Sequence, residues 1–356
     1  MIDRSSYEPI YQQVKRDIQE QILSGQIKIG DKLMSEAEMI RHYNVGRVTI
    51  RNALSELVAA GCLRKEQGLG TFCVAMPRQA VRKSVDVLLN TIDTYFTPYF
   101  LSGISGVLEA NGYDLRLHDT MDSGDVIARL LEQCLECGTD GIIIQPPSVA
   151  TSQHCAAVLE RIAQREIPLI TIDGRFENID TCCLLNDDKA GGYIATKHLI
   201  DQGHTKILGL FRGCSQDALQ RQAGYQQAME AAGLELRLLN ADTASKEEWV
   251  ARMQQENITG IVCYNDYLAV KCYHALDKQG LRPGRDVSVV GFDDTPLSKN
   301  AIPGITTVTH PKDVMGQRAA EMILNWNGEG EKPTEPYIFT PELIQRGSVC
   351  QYSQAL

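Results

Sequence analysis

Long apolar runs are missing from this sequence. None approaches the roughly 20 residues that a membrane-spanning helix needs, which excludes a helical membrane protein. The opening Met1-Ile2-Asp3-Arg4 has no secretory signature, so a soluble cytoplasmic chain is expected. A disulfide framework is also missing: the 11 cysteines are odd in number and scattered, with Cys182 and Cys183 adjacent, as suits reduced thiols. Catalytic signatures are absent as well. There is no G-x-S-x-G, no H-E-x-x-H and no Walker loop, and Gly68-Leu69-Gly70 fits a hairpin tip instead. Neither a catalytic residue nor a cofactor is expected.

Basic charge is in short supply, with 35 Lys and Arg against 45 Asp and Glu and a net charge of −10. Spread evenly, that balance would speak against nucleic acid. It is not even. Residues 1–80 hold 11 basic against nine acidic side chains, and the remainder holds 24 against 36. A slightly basic head on an acidic body suits a DNA-binding module carried by a body that phosphates repel. A length of 356 residues exceeds one compact core and implies two or three domains.

The head reads as three helices and a hairpin. Ile10, Val14, Ile18 and Ile22 recur at one helical face, and Gly25 stops that helix. Ser35 precedes Glu36 and Glu38, the pattern of an N-cap with acidic residues in the first turn, opening a second helix to about His42. A third starts at Gly46-Arg47-Val48-Thr49-Ile50-Arg51, with Ile50, Ala53, Leu54 and Leu57 on its inner side and Gly61 at its end. Leu63–Lys65 and Thr71–Val74 form a hairpin around Gln67-Gly68-Leu69-Gly70, and residues 76–84 read as a linker. The third helix is built to enter a major groove. Arg47 and Arg51 lie one turn apart at its N-terminal end, where arginine can bond both acceptors of guanine and a Val48 or Thr49 methyl can touch thymine.

From residue 85 the chain alternates strand and helix. Val85–Leu89, Gly141–Ile144 and Leu169–Ile172 form one series of apolar runs, and Lys206–Phe211, Gly260–Tyr264 and Val287–Phe292 a second. The expected architecture is therefore α/β: a small winged head and a two-lobed body, 85–356, with two parallel sheets. Ligands of such sheets bind beyond the carboxyl ends of strands. Tyr95, Phe96, Asp173, Arg221, Asn265, Asp266, Asp293 and Asp294 fall in such places. Carboxylates, an amide and a guanidinium suit the hydroxyls of a polyol, and an aromatic face suits a sugar ring. Helix caps and strand-end turns would use the same residue types. Cys134-Leu135-Glu136-Cys137 is a C-x-x-C, but neither Cys155 nor Cys182-Cys183 offers the second pair that zinc requires, so buried packing is expected and no metal.

Residues 8–74 resemble the GntR-type winged helix-turn-helix, through Pro9-Ile10-Tyr11, Gly25-Gln26-Ile27, Ser35-Glu36, Val45–Arg51 and Gln67-Gly68-Leu69-Gly70-Thr71-Phe72 in that order. The resemblance implies DNA contacts by Ser35, Glu36, Arg47, Val48, Thr49 and Arg51, with Gln67 and Gly68 at the wing tip. Residues 84–348 resemble the lac-repressor and periplasmic sugar-binding sensors, through Asp140–Ile144, Arg221-Gln222-Ala223-Gly224-Tyr225, Asn265-Asp266 and Val290–Asp294. There the resemblance implies a sugar site lined by Asp173, Arg221, Asn265, Asp293 and His310. The pairing of these two parts, with Cys263-Tyr264-Asn265-Asp266, His310-Pro311-Lys312 and Pro341-Glu342-Leu343-Ile344, is similar to the arabinose repressor group. It implies a homodimeric repressor that binds operator DNA and is released by a monosaccharide such as L-arabinose. A different sugar or a sugar phosphate, or an enzyme acting on a sugar, are the competing expectations.

Overall fold

The computed structural model describes residues 9–66, 68–75, 83–92, 95–148, 154–177, 179, 181–213, 215–327 and 335–352. The chain divides into two compact units, Met1–Arg82 and Lys83–Leu356. Of the expected linker, residues 76–82 lie outside the described residues. Ser84 does not belong to a linker: it opens a buried strand, and its amide is held by Asp140 Oδ2 at 2.8 Å.

The head contains α1 (Ile10–Leu23), α2 (Glu36–Tyr43) and α3 (Arg47–Ala59), then β1 (Leu63–Glu66) paired antiparallel with β2 (Gly70–Cys73). Its core is the set that periodicity selected: Val14, Ile18 and Ile22 of α1 against Ile50, Ala53, Leu54 and Leu57 of α3. Each valine, leucine or isoleucine among them, fully buried, contributes about 1.5–3 kcal/mol. Ser35 caps α2 in a capping box with Glu38, and Asn44 ends it in the left-handed conformation at φ 51°. That stop frees Val45-Gly46 to turn the chain into α3.

The body contains two six-stranded sheets among the described residues. The first lobe holds β3 (Ser84–Leu89), β4 (Asp114–Asp119), β5 (Gly141–Ile144), β6 (Leu169–Ile172), β7 (Cys182–Asn186) and β13 (Tyr337–Phe339), all parallel, in the order β4-β3-β5-β6-β7-β13. The second holds β8 (Ile207–Phe211), β9 (Leu238–Asn240), β10 (Gly260–Cys263), β11 (Ser288–Asp293) and β12 (Thr306–Thr309), parallel in the order β9-β8-β10-β11-β12, with β14 (Leu343–Ile344) antiparallel at the edge. Helices α4 (Thr97–Ala110), α5 (Gly124–Cys137) and α6 (Ala156–Gln164) follow strands of the first lobe. Helices α7 (Asp188–Asp201), α8 (Gln216–Ala231), α9 (Lys246–Gln255), α10 (Asp266–Asp277) and α11 (Pro296–Asn300) belong to the second, and α12 (Lys312–Asn327) packs back on α4 and the first sheet.

In each lobe the strand order reverses once, between β3 and β5 and between β8 and β10, and the loops leaving those strands diverge to open a crevice. The chain passes from one sheet to the other after β7, after β12 and after β13. The crossing residues Asp188, His310 and Lys312 therefore stand where the lobes meet.

Candidate functional site

On the head, the first turn of α3 presents what a groove-reading helix needs. Arg47, Val48 and Arg51 are exposed, Val48 by 72%, while Ile50 and Leu54 anchor the opposite face. Glu36 receives Arg51 Nε at 3.0 Å and Lys65 Nζ at 2.8 Å. Hydrogen bonds from Lys65 and then Arg51 hold its carboxyl below the usual range. Glu36 thus holds Arg51 and Lys65 on the exposed face of the head. The Ser35 hydroxyl is taken up by the α2 cap. Gly68 sits at the hairpin tip with φ 77° beside Leu69, which is 61% exposed; Gln67 lies outside the described residues.

In the body, a cavity of about 640 Å³ lies between the two sheets' carboxyl ends. Tyr95, Phe96, Gln145 and Asp173 line it from the first lobe, Asp217, Arg221, Tyr264, Asn265 and Asp293 from the second, and His310 and Lys312 from the crossing. Each is placed by local rules. Pro98 in the first turn of α4 fixes the exit of the loop carrying Tyr95 and Phe96. Asp173, Asp293 and Asp294 adopt φ of 58°, 104° and 47°, a strained backbone for non-glycine residues, and strain of this kind concentrates at ligand sites.

Arg221 lies in the second turn of α8, not at its start, and is 3% exposed. It reaches the cavity because α7 and α8 touch through glycine. A β-carbon on Gly224 would stand 2.0 Å from Lys189 O, and one on Gly192 2.0 Å from Arg221 O. That closeness sets Arg221 Nε 2.8 Å from Asp188 Oδ1, with Nη1 donating to Tyr264 O at 2.9 Å and Nη2 3.5 Å from Asp293 Oδ1. The guanidinium also covers the Phe292 ring at 3.7 Å.

Asp293 is the hub. Lys312 Nζ stands 3.0 Å from its Oδ1, and the Tyr95 hydroxyl, crossing from the first lobe, donates to its Oδ2. Asn265 has two jobs: its Oδ1 caps α10 at Leu268 N, and its Nδ2 donates to the Tyr95 hydroxyl at 3.1 Å. The cap therefore uses only the Oδ1 of this amide and leaves its Nδ2 in the cavity wall. Asp173 receives His310 Nε2 at 2.7 Å and Gln145 Nε2 at 3.2 Å. Burial raises the Asp173 carboxyl, but His310 and then Lys312 and Arg221 bring it below the usual value. The buried Lys312 Nζ has an ion-pair partner but no aligned hydrogen-bond acceptor among the described residues.

Two expected site residues are elsewhere. Asp294 is not among the residues that line the cavity, and its carboxylate pairs with Arg346 and Lys299. Asp266 does not reach the cavity: it is fully buried, and its carboxylate accepts from Thr295 N, Thr295 Oγ1 and Thr307 Oγ1. It braces α10 to β12. Conversely, sequence reasoning passed over Lys312, Asp188, Asp217 and Tyr264. Lys312 carried a signal, since a lysine in the first turn of a helix opposes the helix dipole and needs another reason to be there.

The sequence profile for bacterial regulatory proteins of the gntR family matches residues 10–73, and that for a periplasmic binding protein-like domain matches residues 196–349. A groove-reading head and a ligand-enclosing body on one chain define a ligand-responsive transcription regulator rather than an enzyme. An arabinose metabolism transcriptional repressor of Halalkalibacterium halodurans is 31% identical, covering 96% of this chain and 96% of the relative. Another of that description, from Geobacillus stearothermophilus, is 32% identical over 96% of this chain and 97% of its own length. The chain belongs to this family of repressors. A LacI family transcriptional regulator from Enterococcus faecium, solved with bound ribose, superposes with a TM-score of 0.67 at 24% identity, covering 76% of this chain and all of that one. That likeness shows the fold of the body. Among the described residues, no helix is long and apolar enough to cross a membrane.

Proposed function

We propose that the cavity between the lobes binds a neutral monosaccharide, L-arabinose first among candidates, and that its binding releases the head from operator DNA. The carrying observation is the charge balance of the wall. Among the described lining residues, Arg212, Arg221 and Lys312, with His310 against Asp173, face four carboxylates, Asp122, Asp173, Asp217 and Asp293. A phosphate would enter a site whose cations are already matched by carboxylates, at a cost in repulsion. A polyol instead offers hydroxyls that accept from Lys312 and Arg221 and donate to Asp293 and Asp173. Tyr95 and Phe96 cover the ring from the first lobe. The two arabinose repressors among the relatives supply the choice of pentose.

The DNA contacts belong to Arg47, Val48, Thr49 and Arg51, with Glu36 positioning Arg51. A homodimer on a pseudo-palindromic operator matches two heads to two half-sites, as two-fold repressors do. Such a regulator works in the cytoplasm, where the chromosome is. Fluorescence anisotropy on the DNA upstream of the regulated genes tests the reading. L-arabinose should lower operator affinity at fixed salt while glucose 6-phosphate leaves it unchanged. Release by a sugar phosphate alone would overturn the charge argument, and release by a hexose alone would overturn the pentose.

A further inference from the structure

Asp86 stands in the middle of β3 and is 1% exposed. Strand alternation sends Val85 and Val87 into the core under α4 and α12 and turns Asp86, with Leu88, to the face covered by α5. A carboxylate at such a position is expensive to bury, and Arg116 of the neighbouring strand β4 pairs with its Oδ2 at 2.6 Å. That pair alone would neutralise it. Two further groups converge on the same carboxylate. His118, also on β4, places Nε2 2.7 Å from Asp86 Oδ1, and the buried Cys134 thiol of α5 stands beside both. The carboxylate oxygen, imidazole nitrogen and sulfur all lie within 4.8 Å of one another.

We infer that Asp86, His118 and Cys134, none of which lines the sugar cavity, form a binding site for a zinc-class divalent cation. Oxygen, imidazole and thiolate together are a donor set that zinc prefers and that magnesium or calcium would not select. Bonds of about 2.0 Å in a tetrahedron separate oxygen from nitrogen by about 3.3 Å, so the Asp86–His118 pair opens slightly as the sulfur closes in. Arg116 holds Oδ2 and leaves Oδ1 for the metal, the outer-shell hydrogen bond that a ligating carboxylate commonly keeps. Binding releases the Cys134 thiol proton to solvent and moves the imidazole proton to Nδ1. The cation, thiolate, carboxylate and Arg116 guanidinium then sum to one positive charge, carried beside the partly exposed arginine. Water takes the fourth position, since Cys137, three residues on along the same helix, is exposed and outside the cluster. Of the C-x-x-C that lacked a partner pair in the sequence, Cys134 acquires its partners from a neighbouring pair of strands. The metal would clip the edge strand β4 to β3 and α5.

The test uses the full chain, stripped with a chelator and reloaded with zinc or cobalt(II). One metal per chain is expected by mass spectrometry. Cobalt should give a thiolate charge-transfer band with intense visible absorption, and zinc should raise the melting temperature. Cys134→Ser should abolish the band. His118→Gln, on a partly open edge strand and tolerant of substitution, should weaken zinc by at least the roughly tenfold that even outer-shell changes produce. No bound metal after reloading overturns the site, as does a cobalt spectrum that persists in both variants.

Discussion

Asp293 gathers two cations and the Tyr95 hydroxyl on one buried carboxylate. Burial would push its carboxyl up, but Lys312, Arg221 and His310, with the Tyr95 hydrogen bond, hold it well below the usual carboxylate range. It therefore remains ionised and available to sugar hydroxyls. Asp293→Asn keeps the shape and removes the charge, so the sugar should bind about ten- to hundredfold more weakly, a loss of about 1.4–2.8 kcal/mol. Titration calorimetry reads this directly, and an unchanged affinity would remove Asp293 from the site. Asp266 behaves in the opposite sense. Burial first, and then the charge of Asp293, push its carboxyl up to about 6, against the bonds from Thr307 and Thr295. The folded chain holds that proton more tightly than the unfolded chain does. Its contribution to stability is full below the ordinary carboxyl range and is lost as pH rises through about 6. Asp266→Asn cannot titrate. The melting-temperature difference between variant and wild type should shift in the variant's favour between pH 4.5 and 7, by about a few degrees. A difference flat with pH would show that Asp266 is ionised throughout.

Helices α7 and α8 show how an element's packing fixes a functional residue. The contact through Gly192 and Gly224 has no room for a methyl group on either side. Gly224→Ala should cost about 1–3 kcal/mol by overpacking, read as a fall in melting temperature, and should weaken sugar binding because Arg221 moves with α8. Gly106→Ala in α4 meets nothing within 4 Å and should be neutral or stabilising by about 0.5–1 kcal/mol. Equal effects at the two positions would refute the packing argument. Elements of this kind were legible in the sequence to unequal degrees. Continuous apolar runs revealed β3, β5, β6, β8, β10 and β11, because strands buried on both faces carry little else. The edge strand β4, Asp114–Asp119, is half-buried and alternates only Leu115 and Leu117 with polar residues, so a search for continuous apolar runs passed over it. The chain order also hid the return of β13 to the first sheet and β14 to the second. Asn265 and Asp266 are adjacent and chemically alike on paper. Only the turn into α10 decides that one faces the cavity and the other faces Thr295 and Thr307.

On the scale of the whole molecule, the question is whether two units with separate cores behave as separable modules joined by one coupling. The head's core draws only on head residues and the cavity's walls only on body residues. Each function should therefore be removable alone. Arg51→Ala deletes an exposed guanidinium at the groove-reading end of α3. If it reads a guanine, specific operator binding should fall by about 1–3 kcal/mol, while sugar affinity measured without DNA stays at the wild-type value. Asp293→Asn should do the reverse: normal operator affinity without sugar, and release that requires about ten- to hundredfold more sugar. Saturating sugar should lower wild-type operator affinity by about 5- to 150-fold, the span of ordinary allosteric couplings, and operator DNA must then lower sugar affinity by the same factor. Anisotropy on operator DNA and calorimetry on the sugar, run on both variants at one salt concentration, decide the matter. If Arg51→Ala shifts sugar affinity without DNA present, the head and body are not independent. If Asp293→Asn at saturating sugar still releases DNA as fully as wild type, its carboxylate serves binding alone. The signal to the head then passes through lobe closure rather than through that charge.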